Sequence, residues 1–285
     1  MAAALRIATC RPLPEPDVDE DLLLEALAAR GVRARMAAWH DAAEDWDAPV
    51  ATLIRSTWDY IHDLPGFDAW LDRAASAAPV WNDPAIVRGN LHKRYLLELA
   101  ARGVPSVPTE LVSAGSPRRL AEVLAARGWG EVVIKPAIGA GSFETHRVAA
   151  GEQARGEAIF GRLVATRDML VQPYQRSVET HGERALVWIA GAFTHAVRKT
   201  PRFADGIEQV SPALPISPAE RAVGEAALAP LASGLLYARV DVAPDALGAP
   251  QVMELELVEP SLFLLQHPPA LARLVDAVVE RLAAV

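Results

Sequence analysis

Residues Leu235–Ser261 read LLYARVDVAPDALGAPQVMELELVEPS, and their spacing decides how the C-terminal half of the chain is built. Two apolar runs, Leu236–Val242 and Gln251–Val258, flank a loop of turn-forming residues, Ala243–Ala249. The pattern predicts an antiparallel hairpin. Alternate residues of a strand share a face. Arg239 and Asp241 therefore point one way from the first strand and Glu254 and Glu256 from the second, while Val240, Leu255 and Leu257 face a core. Three carboxylates converging without a counter-ion raise one another's pKa. A divalent cation removes that conflict, and hard oxygen donors suit magnesium, which takes the rest of its shell from water and phosphate oxygens. The alternative is a strand face that only meets water.

Upstream, Val132–Thr145 (VVIKPAIGAGSFET) reads as a buried strand with Lys135 at its end, then Gly139, Gly141 and Ser142. Glycines let backbone N–H groups close around phosphate oxygens, Ser142 adds a hydroxyl, and Lys135 a compact positive charge. No Lys-Ser or Lys-Thr follows the second glycine, so this is not a P-loop, and taken alone it reads better as a tight turn. Lys93 falls in an expected helix, Leu91–Arg102, and Lys199 ends an expected strand, Phe193–Lys199. Singly, each is a surface lysine.

The first third alternates strand and helix signals: a strand at Leu5–Thr9, a helix at Glu20–Arg30 that Asp17 or Asp19 can cap, a strand at Ala51–Arg55, a helix at Phe67–Ala78 and a short element at Val80–Trp81. Pro84–Gly89 reads as a connection. Further helices are expected at Pro117–Arg127, Pro218–Ser233 and Pro269–Ala283, and further strands at Leu170–Pro173 and Arg184–Ile189. This is an α/β chain, turning α+β in its C-terminal part. Open α/β sheets bind ligands past the carboxyl ends of their strands. That places Arg55, Ser56 and Thr57 where a substrate would sit, with Arg55 a two-pronged clamp for a carboxylate. The alternative pairs Arg55 with Asp59 and makes it a prop for the loop. Trp58 and Tyr60 read as core.

Composition narrows the class. With 51% hydrophobic and 22% charged residues in 285, the chain is globular. Its net charge of -8 speaks against nucleic acid or an anionic membrane as partner. One cysteine, Cys10, rules out a disulfide within the chain and reads as a core residue. No signal peptide and no run of about 20 apolar residues is visible, so a cytoplasmic protein is expected.

The order of these pieces resembles the ATP-grasp superfamily over residues 89–261: Lys93; Ile134-Lys135-Pro136 before the glycine-rich loop; Val171-Gln172-Pro173-Tyr174 as a hinge; Arg239-x-Asp241; and Glu254-x-Glu256 followed by Pro260-Ser261. RSTWDY (55–60), HAVRK (195–199) and MELELVEPS (253–261) are similar to the branch that includes the D-cycloserine-forming ligase, alongside bacterial glutathione synthetases and D-alanine–D-alanine ligases. The resemblance implies an N-terminal open α/β substrate domain (1–88), then an ATP-grasp domain (89–285) with a lid at about 104–171. It implies ATP and two magnesium ions, with manganese able to substitute. Lys93, Lys135, Lys199 and Ser142 would neutralise the phosphates, and Gln172–Tyr174 would read adenine. Glu179 or Glu183 would take the ribose. Asp241, Glu254 and Glu256 would hold the metal, and Arg239 would stabilise the charge of an acyl phosphate. Glu259 and Ser261 would face the substrate. Gln172 stands where many relatives carry an acid, which loosens adenine selectivity, and Glu256 replaces a common asparagine. The implied activity is ATP-dependent joining of a small carboxylate to a nitrogen nucleophile, within one molecule or between two. Its rivals are a nucleotide-binding module and a kinase. A homo-oligomer is compatible with the sequence, which does not define one.

Overall fold

The computed structural model describes residues 4–200 and 209–284. The first unit comprises β1 (Ala4–Thr9), α1 (Glu20–Ala29), β2 (Arg33–Ala38), β3 (Ala51–Ile54), α2 (Leu64–Ala77) and β4 (Val80–Trp81). Its strands form a parallel sheet in the order β2-β1-β3-β4. Asp19 does not cap α1 with its side chain. Its carboxylate instead accepts from the backbone N–H groups of Leu264 and Leu265, at 3.0 and 3.1 Å.

The expected connection at Pro84–Gly89 is a helix, α3 (Pro84–Leu91). Asp83 caps it by accepting from Ala85 N at 2.8 Å, and Pro84 supplies a first-turn residue that needs no N–H partner. The boundary expected at residue 88 therefore falls inside a helix. The single helix expected over Leu91–Arg102 is broken, and α4 covers only Tyr95–Ala101. His92 is extended, with Nε2 3.1 Å from Asp168, and Lys93 N donates to Ala137 O at 2.7 Å. These contacts pull residues 92–93 off the helical path, so Lys93 sits in a turn.

A second sheet follows: β5 (Glu110–Val112), α5 (Leu120–Arg127), β6 (Val132–Pro136), β7 (His146–Val148), α6 (Gln153–Val164) and β8 (Met169–Pro173), with strand order β5-β8-β6-β7. Helix α6 lies close on this sheet because Gly156 has no Cβ; one built there would meet Val148 Cγ1 at 2.6 Å. The third sheet holds α7 (Ser177–Thr180), β9 (Glu183–Ile189), β10 (Ala192–Lys199), α8 (Pro218–Leu228), β11 (Tyr237–Pro244), β12 (Pro250–Glu256) and α9 (Pro268–Ala283), with strand order β10-β9-β11-β12. The β11–β12 pairing is the hairpin expected from sequence, and its register sets Arg239 opposite Glu256 and Asp241 opposite Glu254. Val240, Leu255 and Leu257 are buried, as the alternation requires.

The first and third sheets share one core: Leu5, Ile7 and Leu53 cluster with Ala185, Val187, Tyr237 and Leu274. The edge of β12 is closed by side chains that act as a surrogate strand. Asn82 Nδ2 donates to Tyr237 O and Leu257 O at 2.9 and 2.7 Å. Asn90 Nδ2 donates to Leu255 O at 2.9 Å, and its Oδ1 accepts from Leu257 N at 2.8 Å. Buried backbone groups left without such partners would cost about 1–3 kcal/mol each. Among the described residues no helix is long and apolar enough to cross a membrane.

Candidate active site

A cleft of about 590 Å³ runs between the second and third sheets and reaches the loop after β3. Its floor is the polar face of the hairpin. Glu254 lies between two lysines, Oε1 3.2 Å from Lys93 Nζ and Oε2 3.4 Å from Lys135 Nζ. Burial opposes its charge, but the two ammonium groups prevail and hold the carboxyl at about 2. Asp241, almost fully buried, accepts from Arg239 Nε and Nη2 at 2.8 and 3.0 Å and from Lys199 Nζ at 2.6 Å. Burial opposes this charge too, and Arg239 and Lys199 keep it well below the usual carboxylate range. Arg239 also bonds Glu256, and Lys199 also pairs with Glu183. At Glu256, burial, opposed by Arg239 and reinforced by Asp241 and Glu254, lifts the carboxyl to about 7. Burial likewise lifts Glu183 to about 7, against Lys199 and with Asp241.

This corrects the expectation of carboxylates without counter-ions. Asp241 and Glu256 are paired by Arg239 of the same hairpin, and Asp241 and Glu254 by lysines remote in sequence. Among the described residues, no group of three His, Cys, Asp or Glu side chains is arranged to hold a metal ion by itself.

The glycine-rich loop forms one wall. Lys93 Nζ donates to Gly139 O at 2.5 Å, tying the turn before α4 to the loop's first glycine. Gly141 and Ser142 both have left-handed backbones, φ 57° and 62°. For Ser142 that conformation costs about 1–2 kcal/mol. Glu144, φ 48°, bonds Arg162 and His146, and these partners hold its carboxyl at about 2 despite some burial. At the far end Val107, Val133, Gln172, Pro173, Tyr174, Met253 and Leu255 line a largely apolar slot. The two acids left open by the sequence separate here. Glu183 lines the cleft beside Lys199, whereas Glu179 is held at the rim by Tyr174 OH at 3.0 Å and Arg147 Nη1 at 2.8 Å.

At the other end the cleft is lined by Trp58, Tyr60, His62, Glu259 and Ser261. Burial, reinforced by Glu256 and opposed by Lys93 and by a hydrogen bond with Tyr60, lifts the Glu259 carboxyl to about 8. Arg55, Ser56 and Thr57 are not part of this wall. All three are buried beneath it: Arg55 Nη1 donates to Pro260 O at 2.9 Å, and Ser56 Oγ meets Thr9 Oγ1 at 2.8 Å. Asp59 pairs with Trp39 Nε1 and His40 rather than with Arg55. Past the end of β3 the chain first turns inward and presents side chains to the cleft three residues later. Tyr60 is core as expected, packed on Phe67, and also reaches the cleft. Trp58 is half-buried and lines the cleft, and an aromatic set among polar residues just past a strand was its signal.

The chain is 35% identical to the cycloserine biosynthesis protein DcsG of Streptomyces lavendulae over 283 residues, covering 93% of this chain and 94% of that protein. A crystal structure of D-cycloserine synthetase DcsG overlays with a TM-score of 0.90 at 34% identity, covering 98% of this chain and 100% of that one. A RimK-domain ATP-grasp protein of Sphaerobacter thermophilus overlays at TM-score 0.70 and 22% identity, over 96% and 99% of the two chains. The chain belongs to the DcsG family of ATP-grasp ligases. Residues 5–82 match the N-terminal domain of D-cycloserine synthetase DcsG. The D-alanyl-alanine synthetase A of Vibrio cholerae shares the fold, at TM-score 0.69 and 14% identity over all of both chains. This ATP-grasp ligase is thus an ATP-dependent enzyme that forms C–N bonds.

Proposed function

We propose that this ligase activates the carboxylate of a small amino acid as an acyl phosphate and closes it onto a nitrogen of the same molecule, as in the formation of the D-cycloserine ring. The observation that carries this reading is the hairpin register, which sets Arg239, Asp241, Glu254 and Glu256 on one cleft floor opposite Lys93, Lys135 and Lys199. A carboxylate is a poor electrophile for a nitrogen nucleophile at neutral pH. Transfer of the γ-phosphoryl group to a carboxylate oxygen releases ADP and creates a leaving group. Attack by the nitrogen then expels phosphate and forms the amide bond. Such steps are accelerated chiefly by positioning and charge neutralisation.

Each side chain has a place in that scheme. Lys93 and Lys135 exchange their carboxylate partner for phosphate oxygens, Lys199 turns a remaining N–H to phosphate while keeping Asp241, and the loop Gly139–Ser142 closes over them. The slot beside Gln172, Pro173 and Tyr174 takes the adenine. Glu183 stays beside Lys199 and Asp241, and Glu179, at the rim beside Tyr174, is assigned to the ribose hydroxyls. Arg239 faces the charge that develops on the reacting carboxyl, with Glu259 and Ser261 on the substrate wall. The donor set fits magnesium: Asp241, Glu254 and Glu256 offer hard oxygens, too few and too well paired to enclose a bare ion but suited to one that shares its shell with phosphates. When bound, the metal neutralises phosphate charge, and manganese can take its place.

The test is ADP release in the presence of magnesium and a panel of amino acids that carry a side-chain nitrogen nucleophile. Mass spectrometry of the product follows. A product lighter than its substrate by one water supports ring closure. A stable phosphorylated product, or ADP release indifferent to the added amino acid, would sink the proposal.

A further inference from the structure

Behind the adenine slot lies a hydrogen-bond relay that the reaction scheme does not use. Thr109, buried, donates from Oγ1 to Val107 O at 2.8 Å. A hydroxyl has one proton to give, so Thr109 Oγ1 can then only accept. It accepts from Gln172 Nε2, also at 2.8 Å. The polarity of a carboxamide is set by its partners, and here it is set by an acceptor. Turning the amide over would bring Gln172 Oε1 against Thr109 Oγ1 and would draw the hydroxyl proton away from the buried Val107 carbonyl. Gln172 is itself buried but forms part of the cleft wall, on the same face of its sheet as Val133 and Lys135. Its Oε1 has no hydrogen-bond partner among the described residues and is not sealed from solvent. It is a fixed acceptor with the cleft in front of it.

Resting on the reading of this slot as the nucleobase site, we propose that Thr109 determines base specificity by locking the Gln172 carboxamide with its oxygen toward the base. A locked acceptor favours a purine with an amino group at that edge and repels one with a carbonyl there. The relay thus gives a neutral glutamine the discrimination that a carboxylate would provide, against the loosened selectivity expected from the glutamine alone. Thr109 acts through Gln172 and is a positioning residue.

The experiment measures ADP and inosine diphosphate binding by calorimetry, with magnesium, for the unaltered protein, Thr109→Val and Thr109→Ser. Melting curves without nucleotide confirm that each variant folds. Valine keeps the shape and removes the hydroxyl, so the amide can turn over. Expected is a preference for ADP in the unaltered protein that drops by about tenfold in Thr109→Val, the size of one modest hydrogen-bond difference. Serine, which restores the hydroxyl, should recover it. An undiminished preference in folded Thr109→Val would overturn the proposal while leaving the ligase reading intact. If the unaltered protein binds neither nucleotide, both the proposal and the reading of the cleft fall.

Discussion

Replacing Glu254 by glutamine should separate the two roles of that side chain. Without nucleotide, Glu254 is the shared counter-ion of Lys93 and Lys135, at 3.2 and 3.4 Å. A carboxyl held at about 2 instead of 4.5 favours its charged form by about 3 kcal/mol. Its side chain is 26% exposed, and solvent screening trims that to about 2 kcal/mol. For a chain of this size the melting temperature should fall by about 3–4 °C. The sign follows from the depressed pKa. The stabilisation is fully present above 4.5 and fades as pH falls through about 2, so variant and unaltered protein converge in acid.

The second half of this prediction runs in the opposite direction. In the unaltered protein, phosphate must compete with Glu254 for the two lysines, whereas in Glu254→Gln it need not. Metal-free ADP should therefore bind the variant more tightly, by up to about tenfold, and raise its melting temperature more. Turnover with magnesium and ATP should still fall by about two decades, the scale of losing one transition-state contact. Melting curves with and without ADP and EDTA, beside an ADP-release assay, read both effects. An equal ADP-induced shift in the two proteins would refute the competition, and near-normal turnover at saturating magnesium would refute the metal assignment.

Lys135→Ala should weaken ATP far more than adenosine, and equal losses in calorimetry would move Lys135 away from the phosphates. Arg55→Lys should lower the melting temperature and raise the KM values of ATP and carboxylate substrate together, because Arg55 braces Pro260 and lies 5.8 Å over the Tyr237 ring. A rise confined to the carboxylate substrate at an unchanged melting point would restore the clamp. Glu259, lifted to about 8 by burial and Glu256, contributes stability that is complete below 4.5 and lost as pH rises through 8. Glu259→Gln should flatten the decline in melting temperature between pH 4.5 and 8 that this group causes, and an unaltered slope would disprove the assignment.

The hairpin was legible because strand alternation is written in adjacent residues: Arg239, Asp241, Glu254 and Glu256 occupy one face by period alone. Their lysine counter-ions were not. Lys93, Lys135 and Lys199 meet these carboxylates across separations of 42 to 161 residues, which no local pattern records. The helix break at Lys93 was hidden for the same reason, since it is drawn out by Asp168 and Ala137. Strand β2 was missed because its edge position leaves Arg33 and Arg35 in place of an apolar run. The Asp83-Pro84 start of α3 was a local cap signal and could have been read from the sequence.

Where the charges originate bears on how the cleft works. The carboxylates of the floor, Asp241, Glu254 and Glu256, all belong to the third sheet, and the surrogate strand of Asn82 and Asn90 fixes that sheet's edge. The cations come from different places: Lys135 from the second sheet, Lys93 from the turn before α4, and Lys199 and Arg239 from the third sheet itself. The contact between Lys135 and Glu254 therefore spans the two sheets, and in the proposed scheme phosphate would break and replace it. Arg239 and Lys199 share Asp241 within one sheet, and that pairing can persist when nucleotide arrives. In that scheme a phosphate group would alter the link between the sheets while the reacting end keeps its geometry. Substitutions at Lys93 and Lys135 should act mainly on nucleotide affinity, and those at Glu254 on turnover as well. Substitutions at Arg239 and Asp241 should act mainly on kcat.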